Sequence, residues 1–428
     1  MATGKTIVWL RQDLRVGDNP ALAAAIGRGR GVVVAFIWAP QEEGSWPPGA
    51  ASRWWLHHSL VDLDQQLRDL GAGLQLIDAG DRASFDCLRS LAREAKADAI
   101  YWNRRYEPAA VRRDSRLKTQ LREEGFEARS FNGSLLFDPP QVKNKAGAPF
   151  KVFTPFWKHL LQMQMPKPAA VDLSAFRALA TRLRNSTPIE QLDLLPANSW
   201  DAGFAPFWGG EPSRGLAERR LEAFVRGGAD KYPTDRDSPA IDGTSLLSPA
   251  LHCGQIGPRE LWHVLADAPE HTSNFDSGVM RQLVWREFAH HLIYHFSRTP
   301  ERPLRPEFER FPWSADAEAL RCWRRGETGY PLVDAGMRQL WQTGWMHNRV
   351  RMVVASFLVK HLRVGWQEGA RWFWDTLVDA DLANNTMGWQ WVAGCGADAA
   401  PYFRIFNPMT QGQKFDPEGD YVRRYVPE

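Results

Sequence analysis

KTIVWLRQDLRVGDNPALAAAIGRGRGVVVAFIW, residues 5–38, sets an apolar run, a charged turn, an Ala-rich amphipathic stretch and a second apolar run in succession. Short apolar runs separated by longer stretches of helical spacing are the mark of strands joined by helical crossovers, and so of a parallel sheet covered by helices. The rhythm continues outward. Strands are predicted over residues 6–10, 32–37, 74–78, 99–103 and 128–131, and helices over 20–27, 51–70, 84–95 and 109–123. Residues 1–135 are therefore expected to form a Rossmann-like α/β domain on a five-stranded parallel sheet. No GxGxxG follows Leu10 and no Walker lysine is present, which disfavours a dehydrogenase or an NTPase.

Residues 136–208 lose this rhythm. Their Pro-Pro pair, MPKP and FWGGEP segments are turn chemistry, and the stretch reads as a long interdomain connector. From about residue 209 to 428 the apolar residues recur at helical spacing, as in Leu221, Phe224 and Val225, then Leu283, Trp285, Phe288 and Leu292. The second half is expected to be all-α.

At 428 residues the chain exceeds one ordinary core, and 44% hydrophobic with 24% charged residues is normal for a globular protein. No apolar run is long enough to span a membrane. The start of the chain lacks the three-part layout of a secretory signal, so a cytoplasmic location is expected. Cys87, Cys253, Cys322 and Cys395 are too dispersed for a zinc pattern and too few to staple the fold, so they are read as reduced and no metal is expected. A net charge of +3 does not by itself signal nucleic acid, so any DNA footprint must be local. Of the 20 tryptophans, 13 follow residue 199, an excess compatible with stacking surfaces or redox chemistry as well as with a Trp-rich core.

Several segments carry chemistry. Arg11, Asp13, Arg15 and Asp18 cluster after the first strand, where the ordinary reading is a solvated or salt-bridged loop. In DGTSLLSP, residues 242–249, Thr244, Ser245 and Ser248 stand at an expected helix start, where hydroxyls and orphan N–H groups can seat a phosphate or merely cap the helix. VDADLANNTMGWQWVAGCGADAAPYFRIFNP, residues 378–408, puts two acids, paired amides and two tryptophans close together, a composition suited to a polar pocket against an aromatic ligand. TGWMHNRVRM, residues 343–352, has a basic face.

These last two segments, with LVWREF (283–288), TGYPLVDAGMRQL (328–340) and VWLRQDLR (8–15), resemble the photolyase/cryptochrome family, most closely its bacterial class I enzymes for cyclobutane pyrimidine dimers (CPDs). The resemblance spans essentially the whole chain. It implies that FAD binds in the helical domain, with Tyr232, Thr244, Ser245 and Ser248 near the pyrophosphate and Arg286, Asn348, Asp379, Asp381 and Asn385 around the ribose and ring. Asn385 matches the residue opposite flavin N5, where an amide can donate or accept as the ring changes redox state. The family splits pyrimidine dimers with an electron from photoexcited FADH⁻, so no acid, base or metal is required. Trp285 and Trp391 match the walls that stack on a flipped-out dimer, and Asn348 and Met352 its polar and apolar lining. Arg236, Arg349, Arg351 and Arg404 match a basic rim for the DNA backbone, and Trp389, Trp366 and Trp313 the chain that carries electrons to oxidised flavin.

Three departures accompany the resemblance. The usual glutamate three residues before Trp285 is Gln282, which can hydrogen-bond thymine carbonyls but cannot share a carboxyl proton. Glutamine there also occurs in (6-4) photolyases and animal cryptochromes, yet those carry a histidine pair where this chain has Asn348 and Met352. The family normally continues some tens of residues past the position of Glu428. Asn103, Tyr106 and Glu107 fall near a folate-type contact segment, while Trp54 and Trp55 do not decide between a folate and a deazaflavin antenna. The expected function is light-dependent CPD repair on UV-damaged DNA by a monomer without an obligate protein partner. The rivals are a cryptochrome photoreceptor, a (6-4) photolyase and a non-catalytic DNA-binding module. The lesion lining, Asn385 and the lack of a long disordered tail argue against the photoreceptor.

Overall fold

The computed structural model describes residues 4–267, 278–399 and 404–428. Its first part carries strands β1 (Lys5–Leu10), β2 (Val32–Trp38), β3 (Leu74–Asp78), β4 (Ala97–Asn103) and β5 (Glu127–Phe131). They are joined by helices α1 (Pro20–Ile26), α2 (Ala50–Asp69), α3 (Ser84–Ala95) and α4 (Pro108–Glu123). All neighbouring strands pair in parallel, in the order β3-β2-β1-β4-β5. Alternation along each strand divides the apolar residues between two faces. Val8, Leu10, Val32, Val34 and Phe36 pack with Leu60 and Leu63 of α2, whereas Ile7, Trp9, Val33, Ala35 and Ile37 pack with Leu88 of α3 and Leu117 of α4. A sheet covered on both faces is what the unbroken apolar runs demand. At the start of α1, Asn19 accepts the N–H of Leu22 at 3.1 Å and Pro20 fills the first helical position.

The charged turn after β1 is salt-bridged but not solvated. Arg11, Asp13, Arg15 and Asp18 are all buried. Arg11 pairs with Asp114 at 3.1 Å, and Arg15 donates to the carbonyls of Gly254 at 2.9 Å and Gly133 at 2.6 Å. The turn thus bolts the α/β part to the helical part. Gly254 takes φ +75°, and a Cβ there would stand 2.2 Å from the Gln12 carbonyl, so only glycine admits this approach.

The stretch expected to be a connector contains helices α5 (Phe153–Leu160), α6 (Leu173–Leu179) and α7 (Phe204–Trp208). In α5, Phe153, Phe156, Trp157 and Leu160 follow helical spacing and join the helical core beside Leu283 and Phe288. The turn residues on either side conceal that pattern. Further on, Thr187 donates to the Leu76 carbonyl and Ser186 Oγ accepts from Leu76 N, both at 2.9 Å, so this strip covers the open edge of β3.

The helical part continues through α8 (Arg214–Ala223), α9 (Tyr232–Asp235), α10 (Ser248–Cys253), α11 (Pro258–Ala266), α12 (Val279–His295) and α13 (Ala317–Arg325). It ends with α14 (Pro331–Thr343), α15 (Asn348–Ser356), α16 (Trp366–Thr376), α17 (Leu382–Ala393), α18 (Pro408–Phe415) and α19 (Asp420–Tyr425). Trp54 and Trp55 of α2 pack against Phe204, Trp208, Trp345 and Val378, which makes the junction between the two parts aromatic. Among the described residues, no helix is long and apolar enough to cross a membrane.

Candidate active site

A cavity of about 590 Å³ opens in the helical part, within the roughly 300–1,000 Å³ of small-molecule sites. Its wall is assembled from Tyr232 and Arg236, the 244–248 turn, Gln282, Trp285 and Arg286 of α12, Asn348, Arg351 and Met352 of α15, Asp379 and Asp381, and Asn385, Trp389 and Trp391 of α17. Residues more than 150 positions apart in the chain therefore meet at one surface.

The 242–249 segment is built differently from a helix-terminal phosphate seat. Helix α10 starts only at Ser248, with Leu247 as a cap that makes no side-chain bond, and Ser248 Oγ donates to Asp379 Oδ2 at 2.6 Å. Leu246 takes φ +51°, an uncommon backbone state for a leucine, and with it Thr244 and Ser245 lie in the turn lining the cavity. Their hydroxyls have no hydrogen-bond partner among the described residues. They remain free to bind a ligand, whereas the Ser248 hydroxyl is spent on Asp379.

Two ionic sets stand in the wall. Arg351 holds both oxygens of Asp379, at 3.0 and 2.9 Å, and donates to the Met346 carbonyl at 2.8 Å. Arg351, expected in a basic rim for the DNA backbone, thus has its Nε and Nη2 engaged in the cavity wall. Asp381 lies 3.3 Å from His290 Nε2 and 3.7 Å from His252 Nδ1. The second distance is an ion-pair separation, too long for a hydrogen bond. Burial alone would raise Asp381, but the two histidines hold it well below the usual carboxylate range. Burial would likewise lower His290, yet Asp381 keeps it above its ordinary value. His290 Nδ1 lies 3.0 Å from the Arg286 carbonyl, which can only accept, so Nδ1 carries the proton. Neither histidine was singled out in the sequence. His290 has a signal, four residues after Arg286 on the same helical face, while His252 has none.

Asn385 Nδ2 donates to the Ala370 carbonyl at 2.9 Å, which orients the amide and leaves Oδ1 without a partner among the described residues. Trp389 Nε1 is buried without a partner. Free hydroxyls, an oriented amide, ionised carboxylates and aromatic walls around a cavity of this size form a donor and acceptor set that fits FAD.

Of Trp389, Trp366 and Trp313, only Trp389 stands in the cavity wall. The other two are joined to it through α16 rather than by ring contacts. A Cβ on Gly369 would stand 2.0 Å from the Trp389 ring, and one on Gly365 would stand 3.7 Å from Trp313, with Trp366 itself on α16 and 1% exposed. Gly369 is thus the gap into which Trp389 fits.

The remaining basic residues differ among themselves. Arg236 lies 5.2 Å from the Tyr232 ring and 4.0 Å from Asp237. Arg349 pairs with Asp237 at 2.7 Å and covers the Phe415 ring at 4.3 Å, so it too is no free cation. Arg404 is exposed outside the cavity, beside Phe406, which stacks on Trp391 at 6.2 Å. Residues 400–403 of the pocket-like segment lie outside the described residues. Asn103, Tyr106 and Glu107 hold the fold, through Asp13, Asp138 and Arg105 respectively. Nearby, at the carboxyl ends of β1 and β2, a second cavity measures about 90 Å³.

Residues 6–172 match the DNA photolyase family, and residues 279–428 match the FAD binding domain of DNA photolyase. The chain is 45% identical to a deoxyribodipyrimidine photo-lyase of Agrobacterium fabrum, over 100% of this chain and 88% of that one. It is 39% identical to cryptochrome-1 of Arabidopsis thaliana, over 99% of this chain and 63% of the other. A solved bacterial class III photolyase from Agrobacterium tumefaciens superposes with a TM-score of 0.93 at 46% identity, covering 100% of this chain and 87% of that one.

Proposed function

The chain belongs to the photolyase/cryptochrome family, and from that premise we propose that it repairs cyclobutane pyrimidine dimers in DNA with FAD and light. The observation that carries the reading is the single cavity wall shared by the flavin-type set, Asp379, Asp381 and Asn385, and the lesion-type set, Gln282, Trp285, Asn348, Met352 and Trp391. Reduced FAD, when bound and excited by light, supplies the electron that splits the dimer. The chain's own work is to bind, orient and exclude water.

In this reading Thr244 and Ser245 donate to the pyrophosphate. Asp379 is fixed by Arg351 and Ser248 so that its carboxylate presents one orientation, and Asp381 is kept ionised by His290 and His252. Asn385, turned by its bond to Ala370, offers Oδ1 as an acceptor. Trp285 and Trp391 form the stacking walls, and Gln282 and Asn348 supply amides to the thymine carbonyls. Arg236 and Arg404 contact the DNA backbone, with Arg349 able to join only by giving up Asp237. Trp389, Trp366 and Trp313 carry electrons during activation.

What supports a class III placement over the class I reading is the 46% identity to a class III structure along the whole chain. A cytoplasmic monomer that needs only damaged DNA as partner completes the proposal. The test is blue-light repair of an oligonucleotide carrying either a CPD or a (6-4) lesion, by reduced protein with a dark control. CPD repair only in light is expected. Repair of the (6-4) lesion instead would mean that Gln282 reports the substrate, and repair of neither by flavin-loaded protein would favour a photoreceptor.

A further inference from the structure

Behind the cavity wall, Phe153 of α5 stacks on Trp285 with ring centroids 3.5 Å apart and planes within 6°. Phe153 is 1% exposed, whereas Trp285 is half-buried and lines the cavity. One face of the indole is thus covered by a buried ring, and the uncovered face is left for a ligand. Phe153 is itself held on several sides. Phe288 meets it edge-on at 5.9 Å, Trp157 lies parallel at 6.5 Å, and the Arg281 guanidinium stands 5.4 Å from its centroid. Its backbone N–H donates to Asp398 Oδ2 at 3.4 Å, which ties the start of α5 to the loop after α17.

We infer that Phe153 is a positioning residue for lesion recognition: it holds the Trp285 ring in the plane in which a flipped-out dimer stacks. The inference rests on the repair function proposed above and adds a residue from the stretch that reads as a connector. An indole free to rotate must be ordered when a base stacks on it, and that ordering weakens binding. Stacking on Phe153 orders the indole during folding instead. Bulk alone would fill the space behind Trp285, but only a flat ring fixes its tilt.

Phe153→Leu keeps apolar bulk and removes the ring, while Phe153→Tyr keeps the ring. The measurements are Kd in the dark for a CPD-bearing and an undamaged oligonucleotide, kcat under saturating light, and flavin content. Phe153→Leu is expected to bind the CPD oligonucleotide roughly two- to tenfold more weakly. Undamaged-DNA binding, flavin content and kcat should stay near those of the parent, and Phe153→Tyr should restore lesion affinity. On a Trp285→Ala background, Phe153→Leu should have no further effect. If Phe153→Leu does not hold flavin, Phe153→Met carries the same comparison. Unchanged lesion affinity in the ring-less variant, or effects of the two substitutions that simply add, would overturn the role of Phe153. A Trp285→Ala variant that binds the lesion as tightly as the parent would instead overturn the repair reading beneath it.

Discussion

Both parts of the molecule bury charge, and they use it differently. Around α4, three cations and three anions close on one another: Arg105 with Glu43 at 2.8 Å and Glu107 at 3.1 Å, Arg113 with Glu43 at 3.0 Å and Asp114 at 2.9 Å, and Arg11 with Asp114 at 3.1 Å. Burial would raise Glu107, but Arg105 outweighs it and holds the carboxyl down to about 2. In the helical part, Asp379 and Asp381 are paired with Arg351 and His290, yet they stand in the wall of a 590 Å³ cavity. Buried ions alone therefore do not mark a ligand site. The mark is capacity left over beside a space large enough to use it. In the α4 cluster the fully buried atoms left over, among the described residues, are Arg11 Nε and Arg113 Nη2, beside about 90 Å³.

The largest effect should separate the two clusters. Removing one partner of a buried pair costs about 3–5 kcal/mol. For Arg351→Ala that loss should fall on the cofactor, and the protein should purify with little flavin, read from its visible absorbance. For Arg11→Ala it should fall on the urea midpoint, with the flavin ratio of the folded fraction preserved. An Arg11→Ala protein that loses flavin while still folded would break the contrast.

A smaller effect tests α16. In Gly369→Ala the new methyl meets the Trp389 ring, and overpacking of this kind costs about 1–3 kcal/mol. Photoreduction should slow while flavin content holds. Trp366→Phe should block photoreduction and spare repair by pre-reduced protein. Survival of photoreduction in Trp366→Phe would show that electrons travel elsewhere.

Smaller again is Asn348→Ala, which removes one exposed amide from the lesion side of the cavity. Its loss should weaken CPD repair by about fivefold, one hydrogen bond's worth, and leave flavin binding intact. Repair assays at equal flavin loading decide it.

The smallest expected effect depends on pH. His290 titrates above its usual value near 6.5, so the stability it lends is complete below 6.5 and declines as pH rises through the higher folded value. The flavin-release temperature should therefore fall as pH rises above about 6.5 and through that higher folded value, and Asp381→Asn should flatten the curve. Glu107, held near 2, should lend its stability throughout that window and lose it only as pH falls through that value.

Much of this architecture is legible in the chain itself. The five strands and four crossover helices follow from side-chain periods of two and 3.6, which are properties of neighbours a few residues apart. The structure moves their ends by a residue or two, as where β4 begins at Ala97 and β2 runs on to Trp38. Helix α5 was equally local, but Pro and Gly on either side hid its four-residue apolar face. The cavity residues were legible for another reason: their unusual types and spacing match a family, and every flavin-type and lesion-type residue read that way stands in the cavity wall.

The sequence by itself determined the periodic elements, the absence of a glycine fingerprint and the residue types of the pocket. It could not say which charges spend themselves on one another. Arg351 meeting Asp379, His252 and His290 meeting Asp381, Arg15 reaching Gly254 and Phe153 lying behind Trp285 all join segments 28 to 239 residues apart. Only the tertiary structure decided these pairings, because spacing along a helix or strand reports neighbours within about two turns, and distant partners are chosen by how whole elements pack.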